Sequence, residues 1–193
     1  MQSTPAPQPW NTAAPDYLEP VVGWRSWVVV EQEDGLRLRS VVFKTVWLPR
    51  TELRAVCERP TRRLRLRLRR LEPHDAPFAG CECGIYGATD PDFAAGYFYL
   101  YSDLLRRSVR HRVIGTVNLW GTVVEAERGW RASCAYPKEI YVPTREPRGR
   151  LVDAEEIAVR LADYGVPVHI VGVRDGSGIA AALGDAGLAH DND

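Results

Sequence analysis

From position 21 the chain reads VVGWRSWVVVEQEDGLRLRSVVFKTVWLP, two runs rich in Val, Leu and Trp on either side of Glu33-Asp34-Gly35. An acidic-glycine turn between such runs predicts a hairpin. In the second run Leu36 and Leu38 alternate with Arg37 and Arg39, the period of a half-buried strand. A longer pattern, RVIGTVNLWGTVVEAERGWRASCAYPKEIYVP, is divided at Glu127-Arg128-Gly129 and predicts a second hairpin over 112–142. YFYLYS at 97–102 predicts a further strand with Tyr97, Tyr99 and Tyr101 on one face. After Pro49, TELRAVC predicts a short helical turn ending near Cys57. Five or more antiparallel strands make this a mainly β protein of the α+β class, a small antiparallel β-sandwich or barrel.

Beyond Pro143 the character changes. TREPRGR is a polar linker, and Ile157, Val159, Leu161 and Tyr164 then recur at helical spacing. Asp153 is placed to cap this helix with Glu156 at its third position, and Gly165 to end it. VPVHIVGV predicts a strand, and 177–183 a short helix capped by Ser177. These form a C-terminal helix–strand–helix extension. Residues 1–18 carry four Pro and little apolar content, which predicts a disordered tail. The expected organisation is therefore a tail at 1–18, a β-rich domain at 19–145 and the extension at 146–193.

Four cysteines are too few for a disulfide-dense scaffold. The tail has neither a basic start nor an apolar core like a secretory signal, and no 18-residue apolar run is present. A cytoplasmic protein without a membrane span is expected, with reduced thiols available to a metal. Cys57, His74, Cys81 and Cys83 fall within 27 residues. Around the last pair, HDAPFAGCECG sets glycines beside the thiols, and Pro73 and Pro77 stiffen the approach. Three thiolates and an imidazole are a tetrahedral set that structural zinc takes. The pair is C-x-C, however, where zinc knuckles commonly use C-x₂₋₄-C. Three alternatives stand beside zinc: an iron–sulfur cluster on the same ligands, a redox dithiol, and ordinary loop thiols with Cys57 as a small buried hydrophobe. Cys134 lies in a strand and is expected in the core, although it is a substitute ligand by type.

These blocks carry a resemblance. His-x-x-Pro and Cys-x-Cys-Gly-Ile-Tyr (74–86), Leu-Trp-Gly (119–121) and Gly-Trp-Arg-Ala-x-x-Ala-Tyr-Pro (129–137) resemble a group of bacterial proteins common in high-GC actinobacteria, for which no activity is known. The resemblance spans 21–142 and implies that the Cys/His block and the second hairpin belong to one domain. It implies no function.

Charge adds a second theme. The 25 basic residues balance 25 acidic ones, and all but Lys44 and Lys138 of the former are Arg. From Arg50 to His74, nine Arg face Glu52, Glu58 and Glu72, a local charge of +6; residues 151–193 hold two Arg against eight acids, −6. Net neutrality excludes a wholly basic surface but not a local patch. Arg63, Arg65, Arg67 and Arg69 alternate with leucines, so a strand there would align four guanidiniums about 7 Å apart. Arg106, Arg107, Arg110 and Arg112 form a second cluster. With Tyr97 and Tyr99 as stacking platforms this describes a nucleic-acid-binding sheet. The plainer account is a solvated arginine face, or one paired with Glu125 and Glu127. Tryptophans 24, 27, 120 and 130 are expected mostly in the core.

No Walker motif, G-x-G-x-x-G, H-E-x-x-H or G-x-S-x-G is present, and no arrangement around His111, His169 or His190 specifies a triad. The sequence leans away from an enzyme. It favours a zinc-stabilised binding or adaptor module acting on another protein or on itself. A nucleic-acid-binding protein and a thiol redox protein or enzyme of unstated reaction are the alternatives.

Overall fold

In a computed structural model describing residues 19–43, 45–57, 74–100, 109–146, 151–174 and 178–188, the first hairpin forms where its pattern places it. β1 (Val21–Gln32) and β2 (Gly35–Ser40) pair antiparallel from Gln32↔Gly35 to Trp27↔Ser40. Arg37 closes the turn, bonding the Asp34 carboxylate at 2.7 Å and the Asp34 carbonyl at 3.0 Å. β3 (Val46–Trp47) extends β2, and β4 (Leu53–Arg54) follows. TELRAVC is thus extended, not helical, because Leu53 and Arg54 pair with Ala135 and Cys134. Cross-strand bonds override a weak local helical tendency.

β5 (Ile85–Ala88) leads into α1 (Pro91–Leu100). The helix overturns the strand expected from YFYLYS, of which Tyr101 and Ser102 lie outside the described residues. Its cause is upstream: Asp90 accepts the Phe93 N–H at 2.7 Å and Pro91 supplies a preset first helical turn. On a helix, residues two apart do not share a face, unlike the strand expected for Tyr97 and Tyr99.

β6 (Val109–Ala126) and β7 (Gly129–Pro143) make the long second hairpin around Glu127-Arg128. Gly129 has φ +146°, and a Cβ there would lie 2.0 Å from the Gly87 carbonyl oxygen, so only glycine fits. The Asp153-capped α2 (Ala154–Leu161) continues into a 3₁₀ turn ended by Gly165 at φ +70°. β8 (Val168–Val171) then joins β7 in parallel, and α3 (Ile179–Asp185) starts from Gly178, with Ser177 outside the described residues.

Among the described residues the eight strands form one sheet that is ring-like without being a barrel. β6 lies along one edge of β1 and one edge of β7. The other edge of β7 is tiled by β5 at 129–132, β4 at 134–135 and β8 at 140–143. β5 also meets β1, but only through Trp24↔Ala88. A single pair closes the circuit β1–β6–β7–β5. Four strands joined so enclose no lumen, and one continuous sheet is not a sandwich.

Alternation sends side chains to both faces of this sheet. One face gathers Trp27, Val29, Leu38, Ile140 and Val142 beneath Ile157 and Leu161 of α2. The other gathers Trp24, Ile114 and Tyr141 beneath Ala94 and Ala95 of α1 and Ile179 and Leu183 of α3. Trp24 and Trp27 are buried as expected, whereas Trp120 and Trp130 are only half-buried. Among the described residues no helix is long and apolar enough to cross a membrane.

The end of β7 is tied to β6 by a buried charged cluster. His111 meets Glu146 through Nδ1 at 2.7 Å and the Pro143 carbonyl through Nε2 at 2.9 Å. Arg112 donates to the second Glu146 oxygen at 2.7 Å. Burial alone would push the Glu146 carboxyl up, but His111 and Arg112 outweigh it and hold the group below its ordinary range. A carboxyl held down in the folded chain stabilises it above the unfolded value of about 4.3, and this contribution is lost as pH falls through the lower folded value. Glu146→Gln should flatten the acid limb of a Tm-against-pH curve. At pH 7 it should cost about 3 kcal/mol in denaturant unfolding, because Arg112 loses its counter-charge and His111 its carboxylate partner.

Candidate metal centre

The gap between β4 and β5 on the edge of β7 is where the cysteines meet. β4 runs antiparallel to β7, and the Ala55 N–H still bonds the Ser133 carbonyl at 2.7 Å before the chain leaves the sheet at Cys57. The chain returns at His74, turns through 78–81 with the Cys81 N–H on the Phe78 carbonyl at 3.0 Å, and enters β5 at Ile85↔Ala132. Departure and return therefore face the same stretch of β7.

There the side chains of Cys57, His74, Cys81 and Cys83 converge, one ligand atom from each within 4.8 Å of every other. The Cys57 and Cys81 sulfurs are 3.9 Å apart, and the Cys83 sulfur is 3.4 Å from His74 Nε2. A tetrahedral ion with bonds of about 2.3 Å to sulfur and about 2.0 Å to nitrogen requires edges of about 3.8 Å and about 3.5 Å. Both of these separations fit one such ion. His74 is also oriented by the Phe78 ring, centroid to centroid 4.7 Å. Partial burial, followed by the neighbouring Cys81 and Cys83, pushes the Cys57 thiol up to about 11. Three thiols gathered this closely resist ionising together, and a bound cation removes that resistance.

All four cysteines are free thiols. Cys134 is buried in β7, opposite Arg54 and Trp120 and apart from the cluster. Most of the residues expected to face nucleic acid lie outside the described residues. Arg63, Arg65, Arg67, Arg69, Arg106 and Arg107 lie outside the described residues, Tyr97 and Tyr99 are on α1, and Arg112 is committed to Glu146. His169 stacks on Tyr141 at 5.3 Å, and His190 lies outside the described residues.

One residue of the candidate centre is not identified as such by the sequence. Arg131 of β7 is buried, and its Nη1 donates to the carbonyls of Cys81, Cys83 (3.0 Å) and Phe78 (3.4 Å). These partners stand 48 to 53 positions away, so only the pairing of β5 with β7 reveals them. A charged residue between Trp130 and Ala132 in an apolar strand was the available hint.

Fold and site together define a mainly β, α+β domain with a Cys₃His cluster able to hold a metal ion at a break in its sheet. Compared with protein-family models, curated proteins and solved structures, the chain shows no significant match. Elemental analysis of the purified chain should find metal content unchanged by Cys134→Ser and abolished by Cys57→Ser or Cys83→Ser.

Proposed function

We propose that the chain is a zinc-stabilised binding or adaptor module of the reducing cytoplasm, acting through contacts with another protein or a second copy of itself. The carrying observation is the convergence of four ligand atoms, within 4.8 Å, from a strand end, a returning chain and a knuckle. Zinc suits three thiolates and an imidazole, and its lack of redox chemistry suits a clamp. An iron–sulfur cluster shares its ligands between irons and would spread them, so the close spacing favours one ion. With all four positions filled by side chains, no site remains for water or substrate. The reading is therefore structural, not catalytic.

A binding role is supported by what surrounds the clamp. Val56, Phe78 and Tyr86 are 74%, 43% and 40% exposed, each on a segment that also carries or adjoins a ligand. Apolar side chains held outward on a braced scaffold are how contact surfaces are made.

Purified full-length chain should contain close to one equivalent of zinc, and removing it with a chelator should lower Tm by about 10 °C, about 2.5–5 kcal/mol at this chain length. Finding neither zinc nor iron near one equivalent overturns the proposal. For self-association, light scattering of the zinc-loaded chain should show a mass that rises with concentration. Val56→Ser combined with Phe78→Ser should bring it back to the monomer. A chain that is monomeric throughout removes self-association from the reading.

A further inference from the structure

We infer that Arg131 is the positioning residue that allows a C-x-C pair to serve a single metal ion, and that its charge balances the metal complex. This rests on the metal-site reading above and goes beyond it by naming what assembles the site. In an extended strand, residues two apart place their side chains on one face about 7 Å apart, wider than two ligands of one ion stand. A C-x₂₋₄-C knuckle solves this by curling on its own backbone. With one residue fewer, Cys81-Glu82-Cys83 needs an outside centre to curl around.

Arg131 supplies that centre. Three carbonyls, of Phe78, Cys81 and Cys83, point at one guanidinium nitrogen, so the loop wraps this group and turns its thiols toward Cys57 and His74. Gly84 follows with φ +121°, and a Cβ there would stand 3.1 Å from the Arg131 Cβ and 3.0 Å from that of Pro77. The bend is fitted closely over the arginine. Tyr86, the cross-strand partner of Arg131, donates its O–H to the Glu82 carbonyl at 2.6 Å, and its ring lies 5.9 Å from the guanidinium. The residue between the two thiols is therefore fixed as well.

The charge has the same address. Among the described residues no carboxylate pairs with Arg131, although its residue is only 8% exposed. A buried cation is costly unless something negative answers it. A divalent ion with three thiolates and a neutral imidazole carries one net negative charge, which Arg131 neutralises.

The test uses the full-length chain with zinc, and with cobalt(II) as a spectroscopic substitute. Arg131→Lys keeps the charge and loses the planar fork, whereas Arg131→Met loses both. Zinc affinity is read by chelator competition, and the number of bound thiolates by the intensity of the sulfur-to-cobalt charge-transfer band. Arg131→Met should bind zinc about 10–100-fold more weakly, as loss of an outer-shell partner does. Its band should drop by about a third, from three thiolates to two, as a C-x-C sulfur detaches. Arg131→Lys should keep the three-thiolate band with an intermediate affinity. Wild-type affinity and an undiminished band in Arg131→Met overturn this inference alone. Should that variant not fold by circular dichroism, wild-type affinity in Arg131→Lys overturns it instead. A wild-type chain that binds neither metal overturns the metal-site reading and this inference with it.

Discussion

Closure of the sheet rests on β5, four residues lodged between two long hairpins. On one side it pairs with β7 through four residues, and on the other its single ladder pair with β1 is Trp24↔Ala88. The approach to β1 is backbone against backbone, since a Cβ on Gly23 would stand 3.0 Å from the Gly87 Cα. So short a strand has little hydrogen bonding of its own, and two arginines brace it. Arg25 of β1 donates to the Tyr86 carbonyl, reaches Ser40 Oγ at 3.1 Å and lies 5.1 Å from the Trp47 ring. Arg131 holds the loop that delivers β5 from the opposite side. Burial brings the Arg25 guanidinium down to about 10, against a smaller raising influence of Tyr97, which leaves it cationic at neutral pH.

The position of the Cys/His cluster follows from that constraint. β4 has two residues and β5 four, and both depend on the same edge of β7. Between them 16 residues separate Cys57 from His74 in the sequence. Holding two ends that far apart in sequence together carries an entropic cost, offset only by something that joins them, and two strand pairs are weak joints. An ion binding Cys57 on one side and His74, Cys81 and Cys83 on the other joins them directly. Its strength would be expressed in the sheet as well as in the loop, because among the described residues β5 completes the ring.

What could be read from the sequence was whatever is local. Both hairpin turns, the Asp153 cap, the Gly165 stop and the β8 strand stand in text that specifies them over a few residues. The Cys/His cluster was legible from composition and proximity, since ligand types are few and these four crowd one stretch. Failures came where distant residues decide. YFYLYS looks like a strand until Asp90-Pro91 is weighed as a helix start, and TELRAVC lacks any sign that β7 offers it a free edge. Closure without a barrel depends on one residue pair, which no periodicity encodes. Arg131 was invisible as a member of the centre for the same reason.

The arginine excess takes on a different meaning in this light. Arg25, Arg112 and Arg131 are buried or half-buried, and Arg37 is buried beside its turn; all four donate to carbonyls or to a carboxylate inside the domain. A guanidinium offers several donors in a rigid plane, and so can collect carbonyls from separate strands where an ammonium on a flexible stem cannot hold the same geometry. A sheet built from short tiles leaves many such carbonyls at its gaps. Preference for Arg over Lys is thus explained in part by internal bracing, and a count of arginines is no measure of affinity for nucleic acid. In the described residues, the guanidiniums nearest the candidate centre and the ring closure are directed at this chain's own backbone.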